Sequence, residues 1–141
     1  MESSSNTVPI SVRKSWLAIS GVLGALAVVF GAMGAHGGVA EHLQSRGAYY
    51  EAIWRTAALY HLVHSAVLLA WSLRPPTLGS NIPSWFFLLG VIGFSGSLYG
   101  LACFEARFLG PVTPLGGLLL IAGWFAIIVS ALRSKQPTGR P

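Results

Sequence analysis

Four long apolar stretches separated by short polar segments constrain the fold of this chain more than any other feature. Each is close to the roughly 20 residues that a helix needs to cross a bilayer. Hydrophobic residues make up 53% of the chain and charged residues only 9%. Because lipid cannot satisfy backbone hydrogen bonds, helices are the expected spanning form. The sequence predicts an all-α membrane protein with four transmembrane helices in a compact bundle, over residues 16–36, 57–73, 85–104 and 112–132.

The basic residues flank these stretches, and their distribution predicts an orientation. Four spans place both termini and the loop after the second span on one side of the membrane. That side carries six Lys or Arg residues and the opposite side three, which predicts that both termini are cytoplasmic. The basic residues are not interleaved with base-stacking aromatics on a polar segment, so no nucleic acid partner is expected despite the formal charge of +5.

The segments outside the apolar stretches are short, and residues 16–132 form a single predicted domain. Residues 1–15 and 133–141 are polar tails with little to bury, so both are expected to be disordered and cytoplasmic. Residues 38–56 are expected to contain an interfacial helix, broken at Gly47, because apolar residues recur there at helical spacing. A substrate-gating lid is the alternative for this segment. The first apolar stretch is longer than the 7–15 apolar residues of a signal peptide, which favours a membrane anchor over a cleaved segment.

Helical periodicity divides the second stretch into a polar and an apolar face. At 100° per residue, His61, His64, Ser65 and Leu68 share one side, and four further leucines lie on the opposite side. Polar groups of membrane helices normally face neighbouring helices, so the histidines are expected to point into the bundle. The predicted topology brings polar residues of the other spans to a similar level, beneath the non-cytoplasmic surface. This candidate polar cluster comprises His36, Arg55, Tyr60, His61, His64, Tyr99, Glu105 and Thr113.

Three interpretations of the cluster are chemically consistent. In the first, the histidines hydrogen-bond across helices, while Arg55 and Glu105 pair or extend to the interface. In the second, His61, His64 and Glu105 form a proton or small-solute pathway, since imidazole titrates near physiological pH. In the third, His36 with His61 or His64 ligates haem or a metal. Glycine-lined helix contacts leave little space for a macrocycle, so no metal or cofactor is predicted.

Small residues line one face of each of the other three spans. They allow helix backbones to approach closely, which matters in lipid because the hydrophobic effect does not hold one helix against another. Packing within the chain and packing between two copies both fit this pattern, and the former is favoured. The predicted packing positions are Gly24, Gly31, Gly93, Gly96, Ser97, Gly100, Gly116, Gly117 and Gly123.

Residue types on which many enzymes depend are scarce. The chain contains no Asp, which rules out a Ser-His-Asp triad, and it has no glycine-rich phosphate-binding loop with a lysine. Cys103 is the single cysteine, so one chain can form neither an intramolecular disulfide nor a Cys-based metal site. The sequence therefore predicts no catalytic residue and no enzymatic activity.

Five short motifs stand in order along the apolar stretches. They are Gly31–Gly37, Tyr60-His61 with His64-Ser65, Phe94–Tyr99, Thr113–Gly117 and Gly123-Trp124. In sequence and spacing they resemble the DUF423 family, which includes small bacterial inner-membrane proteins and the eukaryotic transmembrane protein 256 group. The resemblance extends from about Trp16 to Leu132 and implies a four-span helical protein, without implying a reaction. When the family motifs are matched residue by residue, the resemblance identifies positions to test by mutation. These positions are His36, Tyr60, His61, Ser97, Tyr99, Thr113, Pro114, Gly116 and Gly117.

These observations together predict a structural or accessory membrane component with no assigned activity. The expected partners are the lipid bilayer and either further copies of the chain or other membrane proteins. The alternative is a small oligomeric transporter or channel for a proton or small solute, since closely packed helices leave no wide path within one chain. The expected location is the bacterial cell (inner) membrane, as a multi-pass protein, or the mitochondrial inner membrane if the source is eukaryotic.

Overall fold

Helices form nearly all of the structure. The computed structural model describes residues 10–75 and 78–133, so most of the two predicted tails lies outside the described residues. A π-helical segment, Ile92–Gly96, joins the fourth and fifth α-helices into one continuous stretch, and a short 3₁₀ turn precedes the last helix. The α-helices are α1 Ile10–Ala35, α2 Gly37–Arg46, α3 Ala48–Ser72, α4 Ile82–Val91, α5 Ser97–Phe104 and α6 Val112–Arg133.

Three helical stretches are long and apolar enough to cross a membrane. They are Lys14–Ala35, Ile82–Phe104 and Arg107–Arg133, and they correspond to the first, third and fourth predicted spans. α3 has 25 residues, which gives a length of about 38 Å. Its two histidines and Arg55 make it less apolar than the other three. In the described residues, the structure thus confirms an all-helical protein with three candidate membrane spans.

Several helix boundaries differ from the predicted ones. α1 begins at Ile10, so residues 10–15, expected in a disordered tail, are helical. The predicted interfacial segment 38–56 is divided between α2 and the first turns of α3. The break falls at Gly47, as the sequence indicated, where the backbone has φ +103°. That conformation is accessible to glycine because it has no Cβ.

α3 lies at the centre of the bundle, with α1 on one side and α4 and α5 on the other. The face predicted to point inward does so: His61, His64 and Ser65 are buried, and Leu68 is fully buried beside them. The leucines of the opposite face are exposed, including Leu59. The periodicity of this segment therefore places its polar groups correctly.

α6 packs against α4 and the π-helical segment through glycines. A Cβ at Gly93 would lie 3.1 Å from the Cα of Gly116, and one at Gly123 would lie 2.7 Å from the ring of Phe87. The first contact brings two helix backbones together with glycine on both sides, and the second places an aromatic ring over a glycine. Gly100 likewise faces Leu109, where a Cβ would approach to 2.6 Å.

Other predicted packing positions have no such neighbour. A Cβ at Gly24, Gly31 or Gly96 would find nothing within 4 Å in the described part of the chain. Gly117 lies between these extremes, with a side-chain atom of Phe94 at 3.5 Å from its hypothetical Cβ. Helical spacing identified small-residue faces, but it could not tell which of them a neighbouring helix covers.

Candidate functional site

The predicted polar cluster is divided by the structure into separate groups along the bundle. Its members lie beside His61, beside His64, at the start of α6, at the end of α5 and on the surface. Each buried group includes residues that the sequence did not place there. The groups are therefore described one by one, starting from the most enclosed side chain.

His61 lies against the rings of Phe30 and Tyr99, and Trp54 packs against both of those rings. Its Nδ1 lies 3.5 Å from the Tyr99 hydroxyl, and only 4% of the residue is exposed. The ring of Phe30 lies 4.8 Å from that of Tyr99, and the ring of Trp54 lies 4.7 Å from it. His61 Nε2 has no hydrogen-bond partner among the described residues. We call this group the His61 box: an imidazole with one unpaired nitrogen in an otherwise apolar enclosure.

The walls of the His61 box are fixed by a hydrogen bond between α3 and α1. Trp54 Nε1 donates to the backbone carbonyl of Phe30 at 2.8 Å. The indole also lies over Gly34, where an added Cβ would collide with the ring. Sequence reasoning placed Trp54 at the membrane surface and did not single out Phe30. Helical spacing from His61 would have identified Trp54, which lies two turns earlier on the same face.

His64 is held by hydrogen bonds on both ring nitrogens. Nδ1 lies 2.9 Å from the backbone carbonyl of Tyr60, and Trp124 Nε1 donates to Nε2 at 3.4 Å. Because a carbonyl can only accept, the hydrogen of the neutral ring must be on Nδ1. The contact with Trp124 leaves Nε2 as the acceptor. This arrangement assigns His64 a single neutral tautomer with both nitrogens in use.

Thr113 joins the start of α6 to the start of α5. Its Oγ1 lies 2.7 Å from Ser97 Oγ, and Ser97 in turn donates to the carbonyl of Phe94 at 2.9 Å. Since the single Ser97 hydrogen is used there, Thr113 is the donor between the two hydroxyls. Nearby in the π-helical segment, the hydroxyl of Ser95 is buried without a partner among the described residues.

Glu105 pairs with Arg46 at 2.7 Å, whereas the sequence suggested Arg55. The Arg46 side chain is 11% exposed. Its Nη1 also donates to the carbonyls of Ala102 and Cys103, each at 2.9 Å. The last carbonyls of a helix have no partner within that helix and carry partial negative charge, so a guanidinium is well suited there. Arg46 therefore fastens α2 to the end of α5.

Two predicted members of the cluster lie on the surface. Arg55 is 77% exposed and pairs with Glu51, one turn earlier on α3, at 3.3 Å. His36 is exposed in an extended conformation between α1 and α2. In the described ranges, no group of three or more His, Cys, Asp or Glu residues lies close enough to hold a metal ion.

A groove between α3 and α6 opens beside His64. Its volume is about 530 Å³, within the range of about 300–1,000 Å³ typical of ligand pockets. Tyr60, His64, Phe94 and Trp124 line it together with aliphatic side chains. Both nitrogens of His64 are engaged, so the groove offers mainly ring faces and hydrocarbon. An apolar molecule or a lipid chain is the occupant that this lining suits.

The family described as "Protein of unknown function (DUF423)" matches residues 30–117. This range contains the whole His61 box as well as Arg46, Glu105 and Thr113. The chain belongs to the DUF423 family. The sequence-based resemblance is thereby confirmed. Trp124, which holds His64, lies just beyond the matched range of this DUF423 protein.

Relatives of the DUF423 protein carry the name UPF0382 membrane protein. One from Staphylococcus epidermidis is 39% identical over 118 residues, covering 79% of this chain and 93% of the relative. One from Bacillus subtilis is 32% identical over 124 residues, covering 85% and 98%. A third, from Schizosaccharomyces pombe, is 35% identical over 118 residues, covering 79% and 96%. No solved structure matches the chain. These similarities support the conclusion that the chain is a membrane protein, and the names of the relatives state no activity.

Proposed function

We propose that this DUF423 protein spans the membrane four times, with α3 as the additional span, and serves as a structural or accessory membrane component. α3 is long enough to cross, and it is packed between α1 and α4. Its polar face is turned inward and its leucines outward, which is the distribution expected for a membrane helix with neighbours. Its lower hydropathy is thus explained in part by histidines that lipid does not contact, while Arg55 is exposed toward the start of the helix.

The observation that supports a structural role is the closed polar face of α3. His64 uses both ring nitrogens inside the bundle. Ser65 and Ser72 donate to carbonyls one turn earlier on their own helix, each at 2.7 Å. Polar side chains that could carry an ion or a proton are largely committed to contacts within the chain. Such a face contributes to packing between helices, which is the task of a structural component.

We propose that both termini face the cytoplasm. Lys14, Arg74 and Arg133 stand at the beginning of α1, after α3 and at the end of α6, which alternating spans bring to one side. The bias of Lys and Arg toward the cytoplasmic side supports this orientation. The proposed location is the bacterial inner membrane, or the mitochondrial inner membrane in a eukaryotic source.

Alkaline phosphatase fusions in a bacterial host test the number of spans and the orientation together, because the enzyme is active only outside the cytoplasm. Four spans with cytoplasmic termini predict activity for a fusion after Gly110 and none for fusions after Leu78 or Arg133. If α3 does not cross and the N-terminus is cytoplasmic, all three results are reversed. That reversal would reject the proposal of four spans with cytoplasmic termini.

The accessory role is tested by native mass spectrometry of protein extracted gently from its own membrane. We expect a second membrane protein in fixed proportion, and we expect the abundance of that partner to fall when this chain is removed. A homo-oligomer of fixed size that conducts protons in vesicles would contradict the accessory role. A bound chromophore, seen in the absorption spectrum of the same sample, would contradict it too.

A small oligomeric transporter or channel is the second candidate, and the unpaired Nε2 of His61 is the observation that favours it. The imidazole, whose other nitrogen Nδ1 lies 3.5 Å from the Tyr99 hydroxyl, can accept and return a proton. This candidate predicts that vesicles containing the protein conduct protons and that His61→Gln abolishes conduction, whereas Arg55→Gln does not. Wild-type vesicles that are as tight as empty ones would reject it.

A further inference from the structure

A second groove lies at the opposite end of the bundle from the His61 box, where α4 begins and α6 ends. Its volume is about 520 Å³. Ile82 and Phe86 of α4 form one wall, and Val129 of α6 contributes to the other. Ala126 lies half-buried between them, and its small side chain leaves the groove open. We call this surface the α4–α6 groove. Its walls are hydrocarbon along the direction of the two membrane spans.

One end of the α4–α6 groove is cationic. Arg133, the last residue of α6, lines it and is exposed, and no acidic side chain pairs with Arg133 in the described ranges. The acidic residues in those ranges are Glu41, Glu51 and Glu105. Glu41 lies on α2, Glu51 at the start of α3 and Glu105 at the end of α5, all at the far end of the bundle. The guanidinium at the groove mouth therefore keeps its charge available to a ligand.

The wall formed by the loop before α4 is held in place by a different arginine. Arg74 donates to the carbonyls of Leu78 and Ser80, at 2.9 and 2.6 Å, and to the side chain of Asn81 at 2.7 Å. Its guanidinium also lies 4.7 Å from the ring of Trp71. Arg74 thus holds Leu78, Ser80 and Asn81, and Ser80 is presented at the groove as part of a fixed surface. The groove is formed before any ligand arrives.

We propose that the α4–α6 groove binds one anionic phospholipid. The acyl chain lies against Phe86 and Ala126, and the phosphate lies at Arg133. The groove is an apolar channel that runs along two membrane spans and ends at a cation with no acidic partner among the described residues. These two features match the acyl chain and the phosphate of such a molecule. Basic pockets between transmembrane helices are known to favour anionic headgroups. The groove beside His64 is similar in size but has no Lys or Arg in its lining, and both nitrogens of His64 are engaged, so it provides no headgroup selectivity.

Competition between two lipids of equal chain length tests the proposal. The purified protein in detergent is given equal amounts of phosphatidylglycerol and phosphatidylcholine, and the retained lipids are counted by native mass spectrometry. We expect one tightly retained lipid, with about a fivefold preference for phosphatidylglycerol, as a basic residue near the headgroup level contributes about 1 kcal/mol. Equal retention of the two lipids by the wild-type protein would overturn the proposal.

Four variants locate the lipid. Arg133→Gln should abolish the headgroup preference while a lipid is still retained, and Arg133→Lys should keep the preference. Ala126→Leu should fill the groove and reduce retention of both lipids. Arg107→Gln, which removes an exposed charge at the far end, should change nothing. An Arg133→Gln protein that keeps the preference, or a folded Ala126→Leu protein that keeps the lipid, would place the lipid elsewhere and reject the groove. If Ala126→Leu does not fold, the result for Arg133→Gln alone decides.

Discussion

Substitution of Gly116 by alanine tests the contact on which the packing of α6 depends. Gly116 faces the π-helical segment across the α4–α6 interface. An added Cβ would lie 2.5 Å from the carbonyl carbon of Gly93 and 2.7 Å from the Cα of Phe94. These are backbone atoms, so no side-chain rotation can relieve the overlap. The two helices must move apart.

The size of the effect follows from these distances. Carbon atoms in contact prefer separations of about 3.5–4.0 Å, so α6 must shift by about 1 Å over part of its length. Overpacking of this kind costs about 1–3 kcal/mol. The higher helix propensity of alanine returns up to about 1 kcal/mol. We therefore expect Gly116→Ala to lower the free energy of unfolding by about 1–2 kcal/mol, or the melting temperature by about 2–8 °C.

The neighbouring glycine supplies the matched control. A Cβ at Gly117 would meet only the ring of Phe94, at 3.5 Å, an ordinary contact, and the alanine would keep its propensity advantage. Thermal unfolding of both variants in the same detergent, followed by circular dichroism, should show a lower melting temperature for Gly116→Ala alone. If the two variants melt together, the backbone contact does not limit the stability of this fold, and the reasoning fails.

Three further predictions concern the buried polar groups. Arg46→Gln should lower the melting temperature clearly, since it removes the charge that joins α2 to the last carbonyls of α5. Arg55→Gln should change the melting temperature little, because exposed ion pairs contribute about 0–1 kcal/mol. Equal shifts of the two variants in thermal unfolding would contradict this prediction. His64→Leu should destabilise the protein more than His61→Leu, because it leaves the indole N–H of Trp124, which lies within a candidate membrane span, without its acceptor. That loss amounts to about 1–3 kcal/mol, and the reverse order would refute the assigned bonds. Trp54→Phe should lower the free energy of unfolding by about 0.5–1.5 kcal/mol through loss of the hydrogen bond to α1. Amide hydrogen exchange at the α1–α3 contact should become faster. Unchanged exchange there would count against this prediction.

Local sequence patterns could predict the helices and the inward face of α3. Apolar length identified the spans, and a step of 100° per residue correctly placed His61, His64, Ser65 and Leu68 inside the bundle. Both properties depend on residues a few positions apart. The break at Gly47 was visible for the same reason, because glycine interrupts helices locally.

Contacts between distant segments could not be predicted from local sequence patterns. Arg46 and Glu105 are 59 positions apart in the numbering, and they meet because α2 folds back against the end of α5. The sequence suggested Arg55 because it opens a predicted span, but the turn at Gly47 sets the direction of α3 and leaves Arg55 exposed. Likewise, Phe30 approaches Tyr99 only once α1 and α3 are packed. The missing information was the relative rotation of the helices.

The π-helical segment Ile92–Gly96 absorbs one residue between α4 and α5. α4 presents Phe87 and Val91 to one core cluster, whereas α5 presents Tyr99 to another beside Trp54. A π-helical turn accommodates one residue more than an α-helical turn, so deleting one residue here would leave an ordinary helix with α5 in nearly the same orientation. A further inserted residue has no such turn to absorb it and would rotate α5 by about 100°, which would take Tyr99 away from its neighbours. A one-residue insertion in this segment should therefore be tolerated less well than a one-residue deletion.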